Sequence, residues 1–188
     1  MEMMDRTTIT AFFQELGKEL EQLAVTQPVR LFVFGGAYHV VHVGNRSATE
    51  DIDVILLDHQ DTFADPLTDK VTRTFKKAAS TIARRHQMKR HWLNDDAAIF
   101  MRDYLHAPEF QEFCTFGPLQ VLFPTSECGL AIKLLIYRPK DYSDVDALLE
   151  QVGIETREQA QALLDRFIPD HRWQDEYNVE QTLREFFG

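Results

Sequence analysis

The tightest constraint on the fold is the stretch from Leu31 to Leu57, LFVFGGAYHVVHVGNRSATEDIDVILL. Leu31-Phe32-Val33-Phe34 runs straight into Gly35-Gly36, and Ile52 opens a second apolar run through Val54 to Leu57. Short apolar runs bounded by turn residues predict two buried strands. A strand that ends in Gly-Gly lets the backbone approach a bulky group, because no Cβ intervenes. In Asp51-Ile52-Asp53 the two-residue strand period puts both carboxylates on one face and Ile52 on the other. Adjacent carboxylates repel unless a cation lies between them. Hard divalent ions with oxygen ligands, Mg²⁺ above all, suit such a pair and are often shared with phosphates.

The rest of the chain is predicted to supply helices around these strands. An apolar stripe of Ile9, Phe12, Phe13, Leu16, Leu20 and Leu23 predicts a helix to about Val25, capped by Thr7 or Thr8. Residues 37–43 read as a short helix, with a strand as the alternative. Residues 58–69 form a polar connection, and Thr68 is placed to cap a long helix over 69–87. Asn94 is placed to cap a helix over 95–105, with Asp95 and Asp96 in its first turn. Residues 110–123, broken by Gly117-Pro118, read as a β-hairpin or two short strands, with Leu119–Phe123 the clearer strand. Ser126 is placed to cap a nearly apolar helix, and Thr156 an amphipathic one ending before Pro169. A polar loop over 170–177 and a short helix over 179–187 complete the chain.

Composition narrows the class. A length of 188 residues with 44% hydrophobic content suits one compact unit, either one domain or one domain with a small helical appendage. We expect a core over 1–125 and a helical region over 126–188 packed on it. No apolar run is long enough to cross a membrane, and the acidic start MEMMDRTT is unlike a secretion signal, so a cytoplasmic protein is expected. Cys114 and Cys128 lack partners at zinc spacing and read as packing residues. His39 and His42 likewise lack further ligands. Net charge is −10, yet residues 70–94 hold eight of the 20 basic residues and no acid. The remainder then carries 12 basic against 30 acidic residues, or −18. This basic stretch either steers a polyanion or balances acidic neighbours.

An apolar strand, Gly35-Gly36, then Asp51-x-Asp53 on the next strand resembles the nucleotidyltransferase superfamily of the DNA polymerase β type. The resemblance implies an α+β fold, with a mixed β-sheet flanked by helices and a helical C-terminal part. It implies that Gly35 and Gly36 hold the triphosphate of an NTP, and that Asp51 and Asp53 hold Mg²⁺, or Mn²⁺ in its place. Arg46 either pairs with phosphate or the carboxylates, or holds its loop through backbone carbonyls. Many such enzymes place a third carboxylate on a later strand; here Leu119–Phe123 offers Gln120 and no acid.

Lys133 sits inside the apolar helix after Ser126. It either reaches the surface or faces the cleft and meets an anion there, because a lone buried ammonium is costly. Arg138-Pro139-Lys140-Asp141 and then Asp144 follow, and Asp141 also reads as a helix cap. A lysine in this setting, followed by these acids, is similar to the distal motifs of the abortive-infection toxin type of nucleotidyltransferase. That resemblance implies that Lys133 and Asp141 or Asp144 complete the site. It implies transfer of an NMP to a hydroxyl of RNA, such as tRNA, or of a protein, within a toxin–antitoxin or phage-defence system with an antitoxin partner. Two other readings share the front motif: a silent nucleotide- or partner-binding module, and a small-molecule, antibiotic-type nucleotidyltransferase.

Overall fold

The computed structural model describes residues 3–58, 70–89, 91–96 and 98–188. The expected connection over 59–69, with its Thr68 cap, lies outside the described residues. The chain divides into two compact units, Met1–Ala98 with Phe110–Phe123, and Ile99–Glu109 with Pro124–Gly188. The helical unit therefore takes in residues 99–109 besides the C-terminal region.

The first unit is built on a mixed five-stranded sheet. Its strands are β1 (Val29–Phe34), β2 (Ile52–Leu57), β3 (Leu93–Asn94), β4 (Phe110–Phe116) and β5 (Leu119–Pro124), in the order β3-β2-β1-β5-β4. β1 pairs antiparallel with β2 and parallel with β5, and β2 pairs parallel with β3. β4 and β5 are joined by Gly117-Pro118, a connection too short for anything but an antiparallel hairpin. The continuous apolar run of β1 is explained by its central place: Leu31, Phe32 and Val33 are fully buried. The sheet with helices around it agrees with the expected α+β class.

Helix α1 (Arg6–Gln22) lays Ile9, Phe13, Leu16 and Leu20 against this core. Its cap is Asp5, whose carboxylate accepts from the Thr8 N–H at 2.8 Å, and not Thr7 or Thr8. After β1 the chain turns into α2 (Gly35–Tyr38), which continues as a π-helical turn over His39–Val43 and stops at Gly44. Helix α3 (Lys70–Arg85) buries Phe75, Ala78 and Ile82 and packs on α1. There Arg85 is bonded to both Glu15 and Glu19. The strand β3 was not expected; Asn94 lies in it and does not cap a helix.

In the second unit α4 (Ala98–Tyr104) is followed, beyond the hairpin, by α5 (Ser126–Leu135), α6 (Tyr142–Val152), α7 (Arg157–Phe167), α8 (His171–Glu176) and α9 (Val179–Phe187). Every residue of α5 from Cys128 to Leu135 is buried, and α5 packs against α6, α7 and α9. A helix apolar on all sides must be the centre of its unit. Thr125 caps it, in place of Ser126, by accepting from the Cys128 N–H. Thr156 and Gln159 form a reciprocal cap on α7. The expected loop over 170–177 is instead α8, capped by Asp170 and anchored by buried Gln174, which donates to the Ile168 carbonyl at 2.9 Å. Burial pushes the Cys128 thiol up to about 12, as suits a packing residue.

α1 comes close to β4 only because residue 17 is glycine. A Cβ there would lie 2.3 Å from the Phe116 carbonyl oxygen. Gly17→Ala is expected to destabilise the protein by about 1–3 kcal/mol, as overpacking does. A urea midpoint equal to that of the parent would show that the helix moves aside freely.

Candidate functional site

The expected residues fall in two groups. Gly35, Gly36, Arg46, Asp51 and Asp53 belong to the first unit, and Lys133, Asp141 and Asp144 to the second.

In the first group, β1 ends at Phe34, which lies opposite Asp53 in the antiparallel ladder. The next residue, Gly35, has φ +61°, a left-handed conformation that glycine adopts without penalty. A Cβ there would stand 2.2 Å from Asp53 Oδ2, so the turn is pressed directly against that carboxylate. At Gly36 a Cβ would stand 2.3 Å from Thr49 Oγ1 and 3.7 Å from Arg46 Nη1. Both glycines are thus required by close approach, and the guanidinium of Arg46 lies beside the turn.

Asp53 is half-buried and Asp51 exposed, while Ile52 between them is fully buried. β2 begins at Ile52, so of the two expected strand carboxylates Asp53 lies on the strand and Asp51 in the segment just before it, where strand pairing does not fix its side chain to the same face. Thr49 holds the approach to β2: its hydroxyl donates to the Asp51 carbonyl at 3.1 Å, and its backbone exchanges two hydrogen bonds with Met4. No ion pair engages the Asp51 carboxylate among the described residues.

One residue of this group was not anticipated. Asn94, on β3, lies directly beside Asp53 across the parallel ladder. Its Nδ2 donates to Asp53 Oδ1 at 3.0 Å, and its Oδ1 accepts from the Asp96 N–H at 3.1 Å. The amide is therefore held at both ends and fixes one oxygen of Asp53. Asn followed by two acids is also a common helix start, so local pattern misdirects here. Only the pairing of two distant strands reveals the contact.

The remaining polar groups nearby serve the fold. His39 Nδ1 is bonded to Asn45 Oδ1 at 2.9 Å. Gln111 donates to His42 Nε2 at 2.9 Å, which requires a neutral acceptor nitrogen. Burial, helped by the Arg6 charge, lowers the His42 pKa and keeps the ring in that form. Glu112, the acid of the hairpin, accepts from the Thr115 hydroxyl. Among the described residues no three His, Cys, Asp or Glu side chains converge as a ready metal cage.

In the second group, Lys133 does not reach the surface. Its side chain is 7% exposed, and its Nζ lies 3.1 Å from Asp141 Oδ1 and 2.8 Å from Asp144 Oδ2. Arg138 Nε donates to Asp141 Oδ2 at 2.7 Å from a largely exposed position. Asp141 makes no capping bond to α6. Its carboxylate is turned instead to the two cations. Two aspartates with almost no exposure are thus balanced by one buried lysine and one surface arginine. Burial pushes the Asp141 pKa up, but the Arg138 and Lys133 contacts outweigh it and hold it below its ordinary value.

Comparison of the chain with protein-family models, with curated proteins and with solved structures finds no match.

Two outcomes are expected of the second group. Lys133→Met leaves two buried carboxylates short of a cation and is expected to cost about 3–5 kcal/mol in urea denaturation. Because the Asp141 pKa is depressed on folding, its contribution is present above its ordinary value near 4 and is lost as pH falls through the lower folded value. Stability measured stepwise from pH 6 to pH 3 should therefore drop at the acid end. Asp141→Asn should flatten that drop; an unchanged acid limb would assign it elsewhere.

Proposed function

We propose that this chain is a nucleotidyltransferase of the DNA polymerase β type, moving an NMP from an NTP to a hydroxyl of a second substrate. The observation that carries this reading is the contact between the Gly35 turn and Asp53, with Asp51 exposed just before the same strand. A glycine turn against one carboxylate, with a second two residues away in sequence, is an arrangement suited to a metal-bound polyphosphate.

The residues present fit a divalent ion. Asp51 offers an exposed carboxylate that makes no ion pair among the described residues, and Asp53 offers hard oxygen packed against the Gly35 turn. Asp51 and Asp53 would hold Mg²⁺, which when bound would supply positive charge against the polyphosphate. The position of the Arg46 guanidinium beside Gly36 supports a phosphate-pairing role for it. Asn94 sets the orientation of Asp53, the kind of outer contact that tunes a metal-binding carboxylate. Positioning and fixed charge account for most catalysis of this class, so rigid placement matters more than a covalent nucleophile.

A second reading, a nucleotide-binding module without turnover, is favoured by one observation. The strand beside Asp53 supplies an amide at Asn94 and no third acid.

Mn²⁺ binding followed by electron paramagnetic resonance, together with transfer of label from α-labelled NTPs in a cell lysate, separates the readings. The transferase reading expects Mn²⁺ binding and label transfer that are both lost in Asp53→Asn and Asp51→Ala. It also expects Asn94→Ala to weaken Mn²⁺ binding by about 10–100-fold. Nucleotide binding with no transfer supports the module. Absence of both Mn²⁺ and nucleotide binding removes both readings.

A further inference from the structure

The eight basic residues of 70–94 are not equivalent in the structure. At about 100° per residue, Lys70, Arg73, Lys77 and Arg84 fall within an arc of about 60° on α3. That arc lies opposite the face that buries Phe75, Ala78 and Ile82. All four are exposed, and none makes an ion pair among the described residues. Lys76 and Arg85 lie on the two flanks of the row and are neutralised. Lys76 pairs with Asp95 at 2.7 Å, and Arg85 with Glu15 at 3.0 Å and with Glu19. Arg90 lies outside the described residues. The helix thus sorts its cations: the flanking ones are paired with acids of the fold, and the central ones face solvent with no counter-charge among the described residues.

The row has the character of a surface for a polyanion. From Lys70 to Arg84 it spans about 21 Å at the helical rise. A groove of 670 Å³ beside it is lined by Lys77, Ser80, Arg84 and Gln87, among others, with no acid. The apolar lining of the groove is limited to Ala83 and Met88, with no aromatic group. A protein partner would need such an anchor at the centre of its interface. A phosphate backbone needs only regularly placed charge and hydrogen-bond donors. The chain as a whole is acidic, so attraction of a polyanion depends on a local row of this kind.

We infer that the row Lys70, Arg73, Lys77 and Arg84 binds the sugar–phosphate backbone of a nucleic-acid strand. Resting on the transferase reading above, that strand is the acceptor whose hydroxyl receives the NMP.

The test measures binding alone, with neither NTP nor divalent ion, so its failure is separate from failure of the transferase reading. A fluorescent 20-nucleotide RNA, and the DNA of the same sequence, are titrated with the full chain at 50 and 200 mM salt. Four contacts to a single strand predict a loss of affinity of about 50-fold between the two salts. The variant Lys70→Gln/Arg73→Gln/Lys77→Gln/Arg84→Gln should abolish most of that dependence. The decisive comparison is Lys77→Gln against Lys76→Gln, sequence neighbours with the same change in net charge. Lys77→Gln should weaken binding and lower the salt slope, whereas Lys76→Gln should do so far less. Preference for RNA or for DNA names the source of the backbone. No binding at 50 mM salt, equal effects of the two single variants, or equal displacement by polyglutamate of matched charge would overturn the inference.

Discussion

The register between β1 and β2 sets the rest of the first unit. Phe34 opposite Asp53 means that the chain leaves β1 exactly one residue before it meets a carboxylate. The left-handed Gly35 is the consequence, because any side chain at that point would collide with Asp53. The same strand β2 pairs on its other edge with β3, which brings Asn94 to the far side of that carboxylate. Turn, acid and amide therefore lie in one line across three strands. What holds the register is burial: Ile52, Val54 and Ile55 are almost wholly removed from water. A slip by one residue would exchange the faces of Asp53 and Ile52, at a cost no local contact offsets.

The second unit solves a different electrostatic problem. Its central helix α5 has no polar face, yet it carries Lys133 near its end. An unpaired ammonium there would be prohibitive, so the chain returns two carboxylates to it within eleven residues. The Pro139 turn makes that return possible, since it reverses the chain between α5 and α6. Such a network is poor evidence of net stability, but it fixes how α5 and α6 meet. A single missing member leaves charge stranded in the interior.

What was legible in the sequence follows from the range of the interactions involved. β1, β2 and the hairpin were readable because each announces itself by local apolar runs and turns. The cap of α7 was readable because Thr156 and Gln159 are three residues apart. Two caps fell one to three residues away from their expected places, at Asp5 and Thr125, where neighbouring residues of equal propensity compete. β3 was invisible because two residues have no periodicity, and only their partner strand makes them a strand. α8 was invisible because its anchor, Gln174, is polar and earns its burial through bonds to Ile168 and Asp165. In the candidate site the glycines and aspartates were readable for the same local reason, and Asn94 was not. The choice between surface and anion for Lys133 also needed the fold, which resolves it toward Asp141 and Asp144.

Charge gives the sharpest case of what a sequence leaves open. Lys76 and Lys77 are adjacent and identical, yet helical phase sends one toward Asp95 and the other toward solvent. A count of net charge treats them alike, as does any window average. A polyanion does not, because at a separation of a few ångströms it responds to the local field and not to the total of −10. Acidic residues that neutralise the flanking cations make the central row more distinct, since they leave it as the one edge of α3 where positive charge is uncompensated among the described residues. An overall acidic chain is thus no argument against a nucleic-acid surface; it confines where such a surface can be.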